Sequence, residues 1–124
     1  MQDTTNKNLI LDLTFDFALK IIEFADSLEQ ARKYIIARQI LRSGTSIGAN
    51  IREAQNAESR ADFIHKIKIA AKEADETLYW LLLCKHSKGY INDCDHLITL
   101  CNSISKILTK IIISTKKNAG GRLM

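Results

Sequence analysis

The stretch Leu41-Arg42-Ser43-Gly44-Thr45-Ser46-Ile47-Gly48-Ala49-Asn50-Ile51-Arg52-Glu53-Ala54-Gln55 decides how the chain folds. Two glycines, two serines and a threonine give it the composition of a loop. Its spacing says otherwise. Leu41, Gly44, Ile47, Ile51 and Ala54 recur at intervals of three and four, which is the period of one helix face. A helix with small residues on one side can lie very close to its neighbour. The stretch therefore reads as a close-packing seam, with Arg42 and Arg52 at its margins.

The rest of the chain repeats the helical period. A first segment begins at about Leu9 or Thr14 and ends near Ser27, with Phe17, Ile21, Phe24, Ala25 and Leu28 as its apolar stripe. Asp12 and Asp16 near its start suit the positive end of the helix dipole. A second begins near Gln30 and runs through the Gly/Ser stretch to about Gln55, with Tyr34, Ala37, Ile40, Leu41, Ile47 and Ile51 as core contacts. A third starts near Ser59, where Ser59 and Asp62 have the spacing of an N-terminal cap and an acid three residues on. Its seam is Ile64, Ile67, Ala71, Ala74, Leu78 and Leu81, and Gly89 fits a C-terminal cap. Asn92 or Asp93 caps a fourth, whose seam is Leu97, Leu100, Ile104, Ile107 and Ile111. These segments and their short connections predict an all-α chain folded as an up-and-down antiparallel four-helix bundle. The domain spans residues 1–117, and residues 118–124 read as a flexible tail.

Composition agrees. A chain of 124 residues without proline suits one domain of a few long helices, and 46% hydrophobic with 6% aromatic content gives an aliphatic core. No uninterrupted apolar run reaches the length needed to span a bilayer, and the polar N-terminus is unlike a signal peptide. Cys84, Cys94 and Cys101 are too few for a disulfide framework, so a cytoplasmic location with reduced thiols is expected.

Charge is uneven. Residues 1–30 hold Lys7 and Lys20 against six acids, whereas residues 31–56 hold Arg32, Lys33, Arg38, Arg42 and Arg52 against Glu53 alone. After Asp95 there is no acid, while Lys106, Lys110, Lys116, Lys117 and Arg122 follow. Arg38 and Arg42 are one turn apart, as are Lys68 and Lys72, and Lys106 and Lys110. Such stripes suit phosphate contact, with strong salt dependence and little sequence reading. Solvated helix faces and salt bridges between subunits explain them equally well.

Three other groupings invite chemistry. Arg60 and His65 have the spacing of the HEPN ribonuclease motif, in which histidine acts on the attacking hydroxyl and arginine stabilises phosphate charge. That motif usually has a polar residue where Ala61 stands, and a surface pair is the simpler account. Cys84-Lys85-His86 and Cys94-Asp95-His96 offer four soft ligands, but residues i and i+2 of a helix do not share a face, so no metal site is expected. Cys84 and Cys101 are expected in the core, with the histidines at the wet end of the bundle. Glu73 and Glu76 could serve acid–base work or a di-metal centre. The Glu-x-x-His of di-metal bundles is missing, and pairing with Lys72 or with arginines of the second helix is the better account.

The run from Gln39 to Ala54 resembles the signature of the four-helix-bundle family also called 23S rRNA intervening-sequence or S23-type proteins. The resemblance continues through Glu58-Ser59, Asp62-Phe63-Ile64-His65-Lys66, Ile69-Ala70 and Lys72 to Leu81, and covers residues 15–112 or so. It implies a bacterial bundle that assembles into a ring, typically a homopentamer. A related branch, the accessory variability proteins of retroelements, engages a reverse transcriptase and nucleic acid. The resemblance carries no catalytic residues and no cofactor. It points to Arg42, Arg52, Lys66 and Lys72 for anionic contact, and the stripes add Arg38, Lys68, Lys106 and Lys110. Apolar pairs on more than one helix side, such as Ile21/Ile22 and Ile35/Ile36, supply a physical reason for oligomers. The expected function is a non-enzymatic ring that binds RNA or DNA. The alternatives are a protein–protein adaptor and, third, a HEPN-like ribonuclease.

Overall fold

The computed structural model describes residues 4–90 and 93–123, with side chains described for residues 9–90 and 93–118. Four helices account for nearly all of them: α1 (Thr4–Gln30), α2 (Tyr34–Ala54), α3 (Arg60–His86) and α4 (Asp95–Leu123). Each helix packs on its two chain neighbours in a closed square, α1 also meeting α4, and no contact links the diagonal pairs among the described residues. This is the expected four-helix bundle.

The Gly/Ser stretch is helical throughout and packs as its spacing implied. Ser43, Gly44, Ile47, Ile51 and Ala54 are buried. At Gly44 an added Cβ would lie 2.7 Å from Cγ2 and 2.9 Å from Cγ1 of Ile21, so the Ile21 side chain of α1 packs directly on the α2 backbone there. At Gly48 the nearest atom would be the Thr14 hydroxyl at 3.3 Å. That hydroxyl is buried and donates to the Ile10 carbonyl at 2.7 Å, which satisfies it within its own helix.

Several boundaries and faces differ from the sequence reading. The second helix begins at Tyr34 because the chain turns at Arg32, whose φ is 64°. Lys33 N–H donates to the Leu28 carbonyl at 2.8 Å and Arg32 N–H to the Glu29 carbonyl at 2.9 Å, the paired bonds of a Schellman cap. Tyr34 and Leu41, expected in the core, are 48% and 40% exposed. In α3 the buried line is Ile67, Ala70, Ala74, Thr77, Leu81 and Cys84, and Ile64, Ala71 and Leu78 are half-buried beside it. In α4 the core positions include Cys101 and Leu108, with Leu100, Ile107 and Ile111 half-buried. Ile67, Ala74, Leu81, Leu97 and Ile104 of the expected seams are buried, Cys84 and Cys101 are in the core as expected, and Ala70, Thr77 and Leu108 join them.

Ser59 caps α3 as expected, accepting from Asp62 N–H at 3.0 Å, while Asp62 accepts from Glu58 N–H at 3.2 Å. Of the two residues expected to cap the fourth helix, Asn92 lies outside the described residues and Asp93 is exposed. The backbone of α4 stays helical to Leu123, beyond the point where the sequence reading ended the domain. Residues Asp95–Asn118 of this helix are also long and apolar enough to cross a membrane by length and composition. Interruption by single polar residues hides this in a search for unbroken runs. In the bundle the inner side of α4 is core, and its outer side carries exposed Lys106, Lys110, Lys116 and Lys117.

Candidate nucleic-acid interface

The α2/α3 seam is closed by its own charges. Arg42 donates to Glu73 at 3.2 Å and also pairs with Glu76. Glu76 accepts from the Trp80 indole N–H at 3.1 Å, and Gln39 accepts from Arg42 at 3.4 Å. One turn toward the core, the Ser43 and Thr77 hydroxyls are bonded at 2.8 Å, and Thr77 lies 2.7 Å from the Glu73 carbonyl. Farther along the same seam Lys66 pairs with Glu53 at 2.8 Å. The Glu53 carboxylate, through its hydrogen bond and its charge, raises the Lys66 ammonium above its ordinary value. The two glutamates thus pair with an α2 arginine, as the sequence suggested, though the arginine is Arg42 itself.

Among the eight candidate contact residues, then, Arg42 and Lys66 are engaged with carboxylates of their own chain. Arg38, Arg52, Lys68, Lys72, Lys106 and Lys110 are exposed, and none has an ion pair among the described residues. They do not form one patch. Arg52 edges a shallow α1/α2 hollow of about 120 Å³ with Leu11, Phe15, Ala18, Thr45 and Ala49. Lys106 and Lys110 flank a more open hollow on α4 with Ser105 and Thr109. Sequence reasoning passed over Lys116 as a site residue. The Lys68 ammonium beside it, by hydrogen bonding and charge, pushes Lys116 below its ordinary value. Only the meeting of α3 with α4 could reveal that neighbour.

The remaining groupings are separated by the fold. Arg60 opens α3 and His65 is exposed one and a half turns on, about 140° around the axis on an ideal helix. The three cysteines are buried thiols outside any disulfide, while His86 and His96 are exposed. Burial pushes the Cys84 thiol up to about 11 and the Cys101 thiol up to about 12. Cys101 donates to the Ala74 carbonyl at 3.2 Å and Cys94 to the Leu81 carbonyl at 3.5 Å, so these thiols serve as small core donors. Among the described residues no three His, Cys, Asp or Glu side chains gather as metal ligands would.

Apolar residues remain uncovered on two sides. Phe15, Leu19 and Ile22 form an exposed stripe on α1, continued by Leu41 on α2. Ile35 is 79% exposed at the start of α2, and Tyr79, Leu82 and Leu83 are exposed toward the end of α3.

Fold and charge together define a class of compact all-α four-helix bundles with a basic outer surface. Within that class the chain belongs to the 23S rRNA-intervening sequence protein family, whose model matches residues 6–110. A solved structure from Bacteroides thetaiotaomicron, described as a protein with unknown function from the S23 ribosomal protein family, is 43% identical. The likeness covers 86% of this chain and 97% of that one, with a TM-score of 0.81. No curated protein matches the chain at a significant level.

Proposed function

We propose that this protein is a non-enzymatic, ring-forming scaffold of the cytoplasm that binds RNA or DNA through basic helix faces. The observation that carries the reading is the set of six exposed cations without carboxylate partners among the described residues, alongside Arg42 and Lys66, which have them. Unpaired cations on straight helix faces favour a polyanion, because each phosphate bound releases condensed counterions. The uncovered stripes on α1 and around Ile35 and Leu83 support self-association, which would bury them. The description of the family around 23S rRNA intervening sequences agrees with a nucleic-acid setting, and a reverse transcriptase is a further partner suggested by the related retroelement proteins.

A salt titration of binding tests this reading. Affinity for RNA or DNA should fall steeply and log-linearly with salt. No binding at low salt, or binding indifferent to salt, refutes it. The Arg42 and Lys66 pairs favour a second reading, a protein–protein adaptor whose charges serve packing. It predicts a stable oligomer by light scattering together with no affinity for nucleic acid.

A further inference from the structure

The bundle neutralises its seams unequally. The α2/α3 seam has Arg42 with Glu73 and Glu76, and Lys66 with Glu53. At the α3/α4 turn Lys85 has Asp95 at 2.8 Å, and on α1 Lys20 has Asp16 at 2.5 Å. Lower on the α3/α4 side this stops. Helix α4 carries no acid after Asp95, and Glu73 and Glu76 are drawn to the α2 side by Arg42. Asp75 is the α3 carboxylate on this side, and it stands by Cys101, above the lysines. What remains is Lys68 on α3 beside Lys116 on α4, close enough for hydrogen bonding and charge to lower the Lys116 ammonium below its ordinary value, with Lys106 and Lys110 earlier on α4. Two ammonium groups set side by side repel unless an anion lies between them.

A second observation falls on the same face. The hollow flanked by Lys106 and Lys110 has Ser105 and Thr109 as its other walls. The Thr109 hydroxyl donates to the Ser105 carbonyl at 3.0 Å. The Ser105 hydroxyl is covered yet has no hydrogen-bond partner, alone in this among the described side-chain N and O atoms.

We infer that the outer α3/α4 face is the phosphate-binding track of this protein, with Lys106 and Lys110 at one end and Lys68 and Lys116 at the other. The inference rests on the nucleic-acid reading above and narrows it from scattered cations to one face. Lys106 and Lys110 are one turn, about 6 Å, apart, and Lys116 lies about 15 Å beyond Lys106 along α4. Lys116 is turned about 80° around the α4 axis from Lys106 and about 120° from Lys110 on an ideal helix, so a strand meets all four cations by crossing obliquely from the outer side of α4 toward α3. No base-reading group accompanies the four lysines, so binding is indifferent to sequence. An anionic membrane is the poorer occupant. The apolar side of α4 is turned into the core, and Ile113 is the one large apolar side chain reaching well into solvent on its described part.

The test compares Lys106→Gln/Lys110→Gln and Lys68→Gln/Lys116→Gln with Arg38→Gln/Arg52→Gln on α2, and with Lys20→Gln as a charge-matched control. The probe is a fluorescein-labelled mixed-sequence RNA, single-stranded and duplex, with its DNA counterpart. Helicity and light scattering confirm that each variant folds and assembles as the parent does. Each α3/α4 lysine removed should weaken binding by roughly 8-fold at 0.1 M salt and shrink the salt slope by about 0.9 on a duplex or 0.7 on a single strand. If the parent binds and both α3/α4 variants bind equally well, the track is refuted while the nucleic-acid reading stands. If the parent fails to bind at low salt, both fall. Lysine-dependent capture by phosphatidylserine vesicles without nucleic-acid binding likewise overturns the track.

Discussion

Gly44→Ala separates a glycine that merely lies in a helix from one that sets the distance between two. In an unrestricted helix interior the change stabilises by about 1 kcal/mol, because alanine is the better helix former. Here the new methyl carbon would sit 2.7 and 2.9 Å from two carbons of Ile21. Carbon atoms rest comfortably at about 3.5–4.0 Å, so Ile21 or its helix must retreat by roughly 1 Å. Ile21 is fully buried and β-branched, held in one rotamer, and offers no flexible end that could swing aside. Overpacking of this kind costs about 1–3 kcal/mol. Against the helix-propensity gain, the net expectation is a loss of about 1 kcal/mol, roughly 4 °C in Tm. Urea unfolding at fixed protomer concentration measures it. The sharper measurement is a double-mutant cycle with Ile21→Ala, which removes both crowding carbons and itself costs about 2–5 kcal/mol. In that background the Cβ at position 21 still stands 3.2 Å from the new methyl, so Gly44→Ala should be close to neutral, giving a coupling of about 1 kcal/mol. Gly48→Ala, whose methyl would meet Thr14 at 3.3 Å, should be close to neutral. If Gly44→Ala stabilises the parent protein as it does an open helix, the close-approach argument is wrong.

Arg32→Gly should stabilise by about 1 kcal/mol in thermal unfolding, since Arg32 holds the left-handed conformation that a Schellman cap requires and that a Cβ disfavours. Arg42→Ala should cost no more than about 1 kcal/mol, because its side chain is half exposed and Glu76 keeps the Trp80 indole as a donor; a much larger loss of stability would refute this weighting. Stability should also fall from pH 9 upward. Cys84 and Cys101 are held protonated in the fold, up to about 11 and about 12, whereas exposed thiols in the unfolded chain ionise near 9.0, so the unfolded state gains as pH rises. At pH 10 the Cys84 and Cys101 thiols each contribute about 1 kcal/mol of that loss, and the slope of urea midpoint against pH should shrink without vanishing in Cys101→Ala, because burial also raises the Cys84 and Cys94 thiols.

Much of this architecture is legible in the sequence, for reasons that differ by region. Phe17, Ile21, Phe24, Ala25 and Leu28 all point inward because bulky residues at helical spacing leave α1 a single choice of buried side. On α3 and α4 the chain offers two adjacent lines, one richer in leucine and isoleucine, the other holding Ala70, Thr77, Cys84 and Cys101. The bundle buries the second together with Ile67, Ala74, Leu81, Leu97 and Ile104 of the first. Small side chains fit where four helices converge, and Thr77 is acceptable there because Ser43 and the Glu73 carbonyl satisfy its hydroxyl. The turn at Arg32 was hidden for the opposite reason. It lacks the glycine or asparagine that usually marks a left-handed residue, so periodicity alone starts the second helix four residues early.

The candidate site was legible only as a set of cations, because sequence shows charge but not the partner of each charge. Arg42, in the most recognisable part of the chain, is the clearest case. Periodicity put it at the margin of the close-packed seam, where it looked available to an anion. The close approach at Gly44 seats α2 so that Arg42 reaches two carboxylates of α3, and its charge is met within the bundle. The same two carboxylates are thereby withheld from the α4 side, where Lys106, Lys110 and Lys116 meet no acid of their own helix after Asp95. Neutralising one seam thus leaves the other positive. A charge reversal at Glu73 or Glu76 would therefore act twice, loosening α2 from α3 and adding repulsion on the basic side, whereas Arg42→Ala releases the carboxylates and should weaken polyanion binding without touching a phosphate. That distinguishes a cation that binds from one that keeps acids away from the binders: loss of the first lowers the salt slope, and loss of the second lowers affinity at nearly constant slope.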